Sequence, residues 1–311
     1  MKDKLIRKIL GNLKGIDKSK TYLVGLSGGA DSVTLLRVLN SLNFNIVAAH
    51  VHHNLRKESD AELVFCKNLC DSLGVKFRST KLTFSEDEQK NQNSYRVKRY
   101  AFFKKVYNEE NAEGIFLGQH LDDQIENTVS SFFKRKSVLS LKAMSTSSEM
   151  DGMILYRPLL NVRKHEILEM SKRHNYDFVT DQSNFSTAYE RNKVRLLLMP
   201  VVEQIFGKGV YKTLEELIVS SKEENETNEF YSKLLIEKYF KGNTIDLKCL
   251  EEHSIHIMIY AIDKILKEKG LNVDKASYND LKNVIVNKKP GQVNVKGCTI
   301  EISKHHLKLI M

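Results

Sequence analysis

Six consecutive residues, Ser27-Gly28-Gly29-Ala30-Asp31-Ser32, stand between a short apolar, β-branched run and a run of helical period. Glycines without Cβ atoms let backbone N–H groups form a concave nest, and the start of the following helix adds unpaired donors and a positive dipole end. Ser27 and Ser32 can donate hydroxyl hydrogen bonds to the same anion, so the segment suits a phosphate. It is neither Gly-x-x-x-x-Gly-Lys-Ser/Thr nor Gly-x-Gly-x-x-Gly, and it lacks the lysine that reaches terminal phosphates in P-loop enzymes. Asp31 beside a phosphate is repulsive unless a divalent cation bridges the two, which points to Mg²⁺. The same residues also suit an ordinary N-cap and acidic first turn.

Two further groups could serve that chemistry. His50-Val51-His52-His53-Asn54-Leu55-Arg56 puts alternate histidines on one strand face, but no fourth ligand follows at zinc spacing, so it reads as the polar surroundings of a nucleotide. Gly118-Gln119-His120-Leu121-Asp122-Asp123-Gln124-Ile125-Glu126-Asn127 places Asp123 and Glu126 on one helix face. Carboxylates there can hold Mg²⁺ or accept a proton, or simply favour a helix N-terminus. Basic residues cluster at Lys134-Arg135-Lys136 and at Arg191-Asn192-Lys193-Val194-Arg195, where the guanidiniums four apart share a face. Flanking a phosphate pocket, they can track a nucleic-acid backbone.

The elements needed to position these groups can be read from hydrophobic period. Strands are expected at Tyr22 to Leu26, Asn45 to Val51, Lys76 to Leu82, Gly114 to Gly118 and Met153 to Tyr156. Helices are expected between them at Asp31 to Leu42, Ser59 to Leu73, Ser94 to Tyr107 and Asp122 to Lys134. This alternation predicts an α/β fold with a doubly wound parallel sheet, whose ligands bind beyond the carboxyl ends of the strands. Helical segments follow from about Arg163, and Gln292 to Ile310 reads as a small hairpin. The expected domains are therefore 1–206, with a helical extension from about 163, and 207–311, mainly helical with a small terminal β element.

The 311 residues carry 49 Lys and Arg against 39 Asp and Glu, a formal charge of +10 that favours polyanionic partners. No apolar stretch approaches the roughly 20 residues of a membrane helix, and Met1 to Leu10 is too charged for a secretory segment. A cytoplasmic location is expected. Cys66, Cys70, Cys249 and Cys298 form no Cys-x-x-Cys pair and read as buried thiols.

The hexapeptide resembles the SGGxDS signature of PP-loop (N-type) ATP pyrophosphatases, and six ordered blocks from about Lys20 to Arg195 resemble the tRNA(Ile)-lysidine synthetase family. They are residues 27–32, 50–59, Arg96 with Arg99 and Tyr100, 118–127, YRPLLNVRKHEI at 156–167 and DQSNFSTAYERNKVR at 181–195. The resemblance implies ATP held by Ser27, Gly28, Gly29, Ala30, Asp31 and Ser32, with His52 and Arg96 beside it, and Mg²⁺ on Asp31 and Asp123. It implies catalytic roles for Asp31, His120, Asp122, Asp123 and Glu126, and a tRNA grip by Lys134, Arg135, Lys136, Arg191, Asn192, Lys193, Arg195 and the C-terminal domain. The implied substrates are free L-lysine and isoleucine tRNA with a CAU anticodon, with a homodimer left open. The acceptor of the lysine amine's proton stays open between a carboxylate and His120.

The chain departs from the family pattern at four places. Gln119 replaces a histidine, Asn127 a threonine and Gln92 a glutamate, and Lys136-Ser137-Val138-Leu139 replaces a glycine-rich turn. Altered efficiency or recognition is expected from these changes rather than loss of activity. The competing readings are a tRNA thiolase of the same superfamily, a catalytically silent tRNA-binding homologue, and a small-molecule synthetase of the amidotransferase type.

Overall fold

A computed structural model describes residues 4–52, 58–85, 88, 91–134, 144–180, 187, 190–249, 253–271, 275–287, 290–295, 297–303 and 305–310. The chain divides into two compact units, Met1–Ile218 and Val219–Met311.

In the first unit the elements run α1 (Lys4–Asn12), β1 (Thr21–Gly25), α2 (Ala30–Ser41), β2 (Asn45–His52), α3 (Glu58–Leu73), β3 (Lys76–Lys81), α4 (Gln92–Glu109), β4 (Gly114–Phe116) and α5 (Leu121–Phe133). Then come β5 (Ser147–Met150), β6 (Met153–Tyr156), α6 (Lys164–Arg173), α7 (Glu190–Lys193), a π-helical turn (Val194–Leu198), α8 (Met199–Phe206) and α9 (Gly209–Tyr239), within which the units part. The sheet order is β3-β2-β1-β4-β6-β5, parallel except for β5. The doubly wound α/β expectation therefore holds.

Alternation along the strands explains why both sheet faces are covered. On β1, Tyr22 and Val24 face one core with α1, α2, α3 and α6, while Leu23 faces the other with Phe103 and Val106 of α4. β2 does the same, Ile46 and Ala48 against Val47, Ala49 and Val51. Helix α5 is different: its stripe of Leu121, Ile125 and Val129 packs with Val194, Met199 and Ile218 in a separate cluster. The helix that begins with the acidic pair is thus braced by the helical extension.

Two elements of this unit were not anticipated. Helix α1 buries Leu5 and Ile9, and β5 pairs antiparallel with β6 across Asp151 (φ 50°) and Gly152 (φ 69°). An Asp-Gly pair with two positive φ angles is a tight hairpin turn whose twist matches the strands it joins.

The second unit holds β7 (Phe240–Lys241), β8 (Thr244–Asp246), α10 (Ile255–Glu268), α11 (Lys275–Val286), β9 (Gly291–Val295), β10 (Cys298–Ile302) and β11 (His306–Ile310). The expected hairpin is three strands, β9 to β11, at one side of a larger antiparallel sheet, β7-β8-β11-β10-β9. Short β7 and β8 flank Gly242 (φ 62°), and β8 pairs with β11. Its core joins Ile300, Ile302, Leu307 and Leu309 to Met258, Ile262 and Leu266 of α10.

The strand termini opposite the functional loops are tightly fitted. A Cβ on Gly114, at the start of β4, would lie 2.8 Å from Tyr156 Cδ2 and 3.2 Å from the Ile154 carbonyl oxygen. Gly114→Ala should therefore cost about 2 kcal/mol through overpacking, a fall of roughly 4–8 °C in Tm, with ATP binding unchanged. Calorimetry beside an ATP titration checks both halves; an unchanged Tm would show that the Tyr156 ring has room to move.

Candidate active site at the switch point of the sheet

β1 lies between β2 and β4, so the strand order reverses direction there and opens a crevice beyond the carboxyl ends of β1 and β4. Ser27–Ser32 fills the β1 end. Gly28 takes φ 87°, a conformation that L side chains rarely adopt, and a Cβ there would lie 3.2 Å from Cys66 Sγ. The loop is held from within: Ser27 N–H donates to Ser32 Oγ (3.1 Å), the two hydroxyls are 3.0 Å apart, and Ser32 Oγ donates to the Gly29 carbonyl (3.0 Å). Gly29 is the N-cap of α2, so the first N–H groups of that helix have no helical carbonyl to bond. From the β4 side Gly118 closes in; its absent Cβ would be 3.3 Å from Ser32 N.

A cavity of about 300 Å³ opens at this crevice, the lower end of the range for small-molecule sites. It is lined by Ser27, Asp31 and Ser32, by the apolar Ala49 and Val51 of β2, and by Arg96, Arg99 and Tyr100 of α4. Both guanidiniums lie over the Tyr100 ring, at 5.2 and 5.6 Å. Burial, with the neighbouring Arg96 charge, lowers the Arg99 pKa.

Beside the cavity four carboxylates meet four cations. Asp31 accepts both its hydrogen bonds from Lys164 Nζ (2.7 and 2.9 Å). Asp122 accepts from Arg163 Nε and Nη2 (3.1 and 3.0 Å) and from the Lys164 backbone N–H (2.7 Å). Asp123 pairs with Arg191 and, at 3.4 Å, with Arg195. Glu126, 3% exposed, is gripped by Arg191 Nε (2.7 Å) and Arg195 Nε (2.6 Å).

His120 sits among them, 3% exposed, its Nε2 3.8 Å from Asp31 and 3.5 Å from Asp123, its Nδ1 3.6 Å from Asp122. Burial alone lowers an imidazole pKa, yet Asp122, Asp123 and Asp31 outweigh it and the His120 pKa is raised. For Asp122 burial acts upward, but His120, Arg163 and the Lys164 N–H hold the carboxyl far below its ordinary value.

The structure thus gathers Asp31, His120, Asp122, Asp123 and Glu126, and it adds Arg163 and Lys164. Those two lay inside a quoted sequence block without an assigned role. Asp122 acts as an anchor, pinning the start of α6 so that Lys164 reaches Asp31. Arg191 and Arg195 do share a face, as their spacing predicted, but they point at Glu126 and Asp123 rather than outward. Arg195 lies within the π-helical turn Val194–Leu198 that follows α7, a form often found at functional sites.

The other expected residues are placed as follows. His52 is buried and pairs with Asp60 at 3.1 Å, away from the cavity lining. Arg96 lines the cavity. Lys134 pairs with Glu190 at 2.7 Å, and Lys193 is exposed. Gln119, at the position of the expected histidine, accepts from Arg157 Nε at 2.7 Å, a contact that a cationic side chain would oppose. Arg135, Lys136, the segment 137–139, residues 53–57 and Asp181–Asn184 lie outside the described residues.

No ligand set for a protein-only metal cage occurs among the described residues. Mg²⁺ prefers one or two carboxylates completed by phosphates and water, and Asp31 beside the phosphate loop suits that arrangement. The cysteines are buried and form no disulfides; burial pushes the Cys66 and Cys70 thiols up to about 12. No helix among the described residues is long and apolar enough to cross a membrane.

Residues 1–202 match the PP-loop domain family, so fold and site together define an ATP-dependent PP-loop enzyme. The tRNA(Ile)-lysidine synthase of Chlamydia pneumoniae is 33% identical over 219 residues, covering 70% of this chain and 68% of that one. The tRNA(Ile)-lysidine synthase of Chlamydia caviae is 34% identical over 225 residues, 71% and 69% of the two chains. The chain belongs to the tRNA(Ile)-lysidine synthase family. Among solved structures, the U34-tRNA thiolase NcsA of Methanococcus maripaludis superposes with a TM-score of 0.59 at 18% identity, covering 71% of this chain and 78% of that one. That likeness concerns the fold alone.

The anchor role of Asp122 has a measurable consequence. Asp122→Asn removes the charge opposite Arg163 and should cost about 2–3 kcal/mol at pH 7, as for breaking one partner of a buried pair. A carboxyl with a depressed folded pKa contributes stability above its unfolded value of about 3.9 and loses it as the pH falls further. Urea unfolding at pH 7, 5 and 3 should therefore show the gap between the two proteins closing toward pH 3; a gap independent of pH would show that lost packing, not charge, is responsible.

Proposed function

We infer that this chain ligates lysine to C2 of the wobble cytidine of isoleucine tRNA bearing the CAU anticodon, using ATP and releasing AMP and pyrophosphate. The observation carrying this reading is the glycine loop with Asp31 at the sheet's switch point, in a chain whose curated relatives share a third of its residues over about two thirds of their length.

Cytosine O2 is a poor leaving group. In the first step it attacks the α-phosphorus of ATP, the bond to the β-phosphate breaks, and pyrophosphate departs toward Ser27–Ser32 and the N–H groups of α2. Arg96 and Arg99 face that loop and suit the charge on the transferred phosphate. In the second step the lysine ε-amine bonds to C2 and the C2–O bond breaks, the oxygen leaving with AMP. The amine must give up one proton. His120 or a carboxylate of the cluster takes that proton.

Mg²⁺ would be held by Asp31, with Asp123 the second carboxylate, and would neutralise charge on the pyrophosphate. Lys164 occupies Asp31 in this structure and is placed to move from carboxylate to phosphate. Lys134, Arg135, Lys136, Lys193 and the second unit would grip the RNA, in the cytoplasm.

The buried cysteines argue against the thiolase reading, because a sulfur carrier needs a reachable thiolate. Release of AMP and pyrophosphate should require both lysine and a CAU transcript, with a UAU transcript inactive. Release without lysine or tRNA would sink this reading in favour of a small-molecule synthetase, and binding without release would favour a silent RNA binder. Within the active enzyme, Asp31→Asn should slow pyrophosphate release at least about 10²-fold; near-normal release would refute its metal role.

A further inference from the structure

We propose that the adjacent rings of Phe132 and Phe133, at the end of α5, are a stacking platform for unpaired bases of the tRNA anticodon loop. The proposal rests on the tRNA reading above and adds a surface to it. Phenylalanine is among the residues most often buried, yet these two are 62% and 66% exposed. Their centroids are 5.5 Å apart at 88°, so an edge-to-face pair leaves ring faces open to solvent. They stand three and four residues after Val129 and so continue the stripe of Leu121, Ile125 and Val129, but where that stripe is packed these two rings are left exposed.

What sets the occupant is position and charge. The same helix begins with Asp122, Asp123 and Glu126 at the reaction site, and at 1.5 Å per residue Phe133 lies about 15 Å further along the axis from Asp123. About four stacked nucleotides of single strand, at 3.4 Å each, span that distance. Lys134 follows the rings and draws Glu190, the start of α7, to the same end of α5. Lys193, one turn on, is exposed and has no carboxylate partner among the described residues. Exposed aromatic faces beside cations are how proteins hold unpaired bases, whereas a protein partner for an apolar patch would not call for a cationic margin.

The test is titration of a labelled CAU anticodon stem-loop, and of a hairpin with the same stem and a fully paired extension, against wild type, F132A/F133A, F132Y/F133Y and K134Q. Loss of stacking predicts at least about a tenfold weaker grip on the stem-loop by F132A/F133A. Its affinity for the paired hairpin, its ATP binding and its Tm should be unchanged, since surface substitutions away from packed features alter stability little. F132Y/F133Y should restore binding. The dependence of affinity on salt should keep its slope in F132A/F133A and fall by about one unit in K134Q. Equal stem-loop binding by wild type and F132A/F133A would overturn the proposal while leaving the enzymatic reading intact. A loss shared equally by the paired hairpin, or a change of oligomeric state in F132A/F133A, would overturn it in favour of a folding or protein-contact role. Wild type that binds no stem-loop yet forms AMP without RNA would remove both the platform and the tRNA reading.

Discussion

Carboxylates crowded at the edge of a parallel sheet cannot remain ionised beside one another unless cations stand within a few ångströms. Most of this structure's active region follows from that requirement. Asp31, Asp122, Asp123 and Glu126 are brought together by the loop after β1 and the start of α5. Their neutralising partners come from far along the chain: Lys164 is 133 positions from Asp31, and Arg195 is 69 from Glu126. The helical extension is therefore an electrostatic part of the catalytic unit. A buried pair of this kind adds little net stability over apolar packing, but losing one partner leaves an uncompensated charge. Cations already in place also give a bound phosphate or a metal ion something to exchange with, without a large change in net charge.

The sheet determines where this cluster can form. Reversal of strand order at β1 and β4 leaves two loop ends without a crossing helix above them, and Gly28 and Gly118 let those ends approach closely. Ser27 and Ser32 bond to each other, so the loop keeps its shape before any anion arrives. With both hydroxyl protons used inside the loop, the donors left for an anion are the backbone N–H groups at the start of α2, and preorganised donors of that kind need no rearrangement at the moment charge develops. Packing of α5 on the π-turn and α8, rather than flat on the sheet, keeps its first turn beside the loop while its far end reaches outward.

Residues that act through local pattern could be read in the sequence. The glycine loop, the parallel strands, the i, i+3 acids and the i, i+4 arginines all lie within one turn or one strand of each other, where period and side-chain type carry the information. What was missed is long-range or small. No local rule says that Arg163 faces Asp122 across 41 positions, or that Arg191 and Arg195, whose spacing suited a grip on a nucleic-acid backbone, turn instead to Glu126 and Asp123. β5 had a signal, the Asp151-Gly152 pair between apolar residues, but its strand of Ser-Ser-Glu-Met has little β propensity. β7 and β8 are too short for a period to show, and they become strands because β11 offers an edge to pair with.

Charge is shared unequally between the two units. Residues 1–218 carry 34 Lys and Arg against 26 acids, whereas residues 219–311 carry 15 lysines against 13 acids and no arginine. Phosphate neutralisation is a local effect that fades over about one Debye length, roughly 8–10 Å in cellular salt. A nearly balanced unit contributes little to such an interaction unless its cations are sorted onto one face, so attraction of a polyanion falls mainly to the first unit. Four acids of that unit are consumed by its own Lys164 and arginines, and the remaining excess stays available outside the cluster. The first unit therefore combines an excess of cations with carboxylates already neutralised by its own chain, as a site that places acids next to phosphates requires.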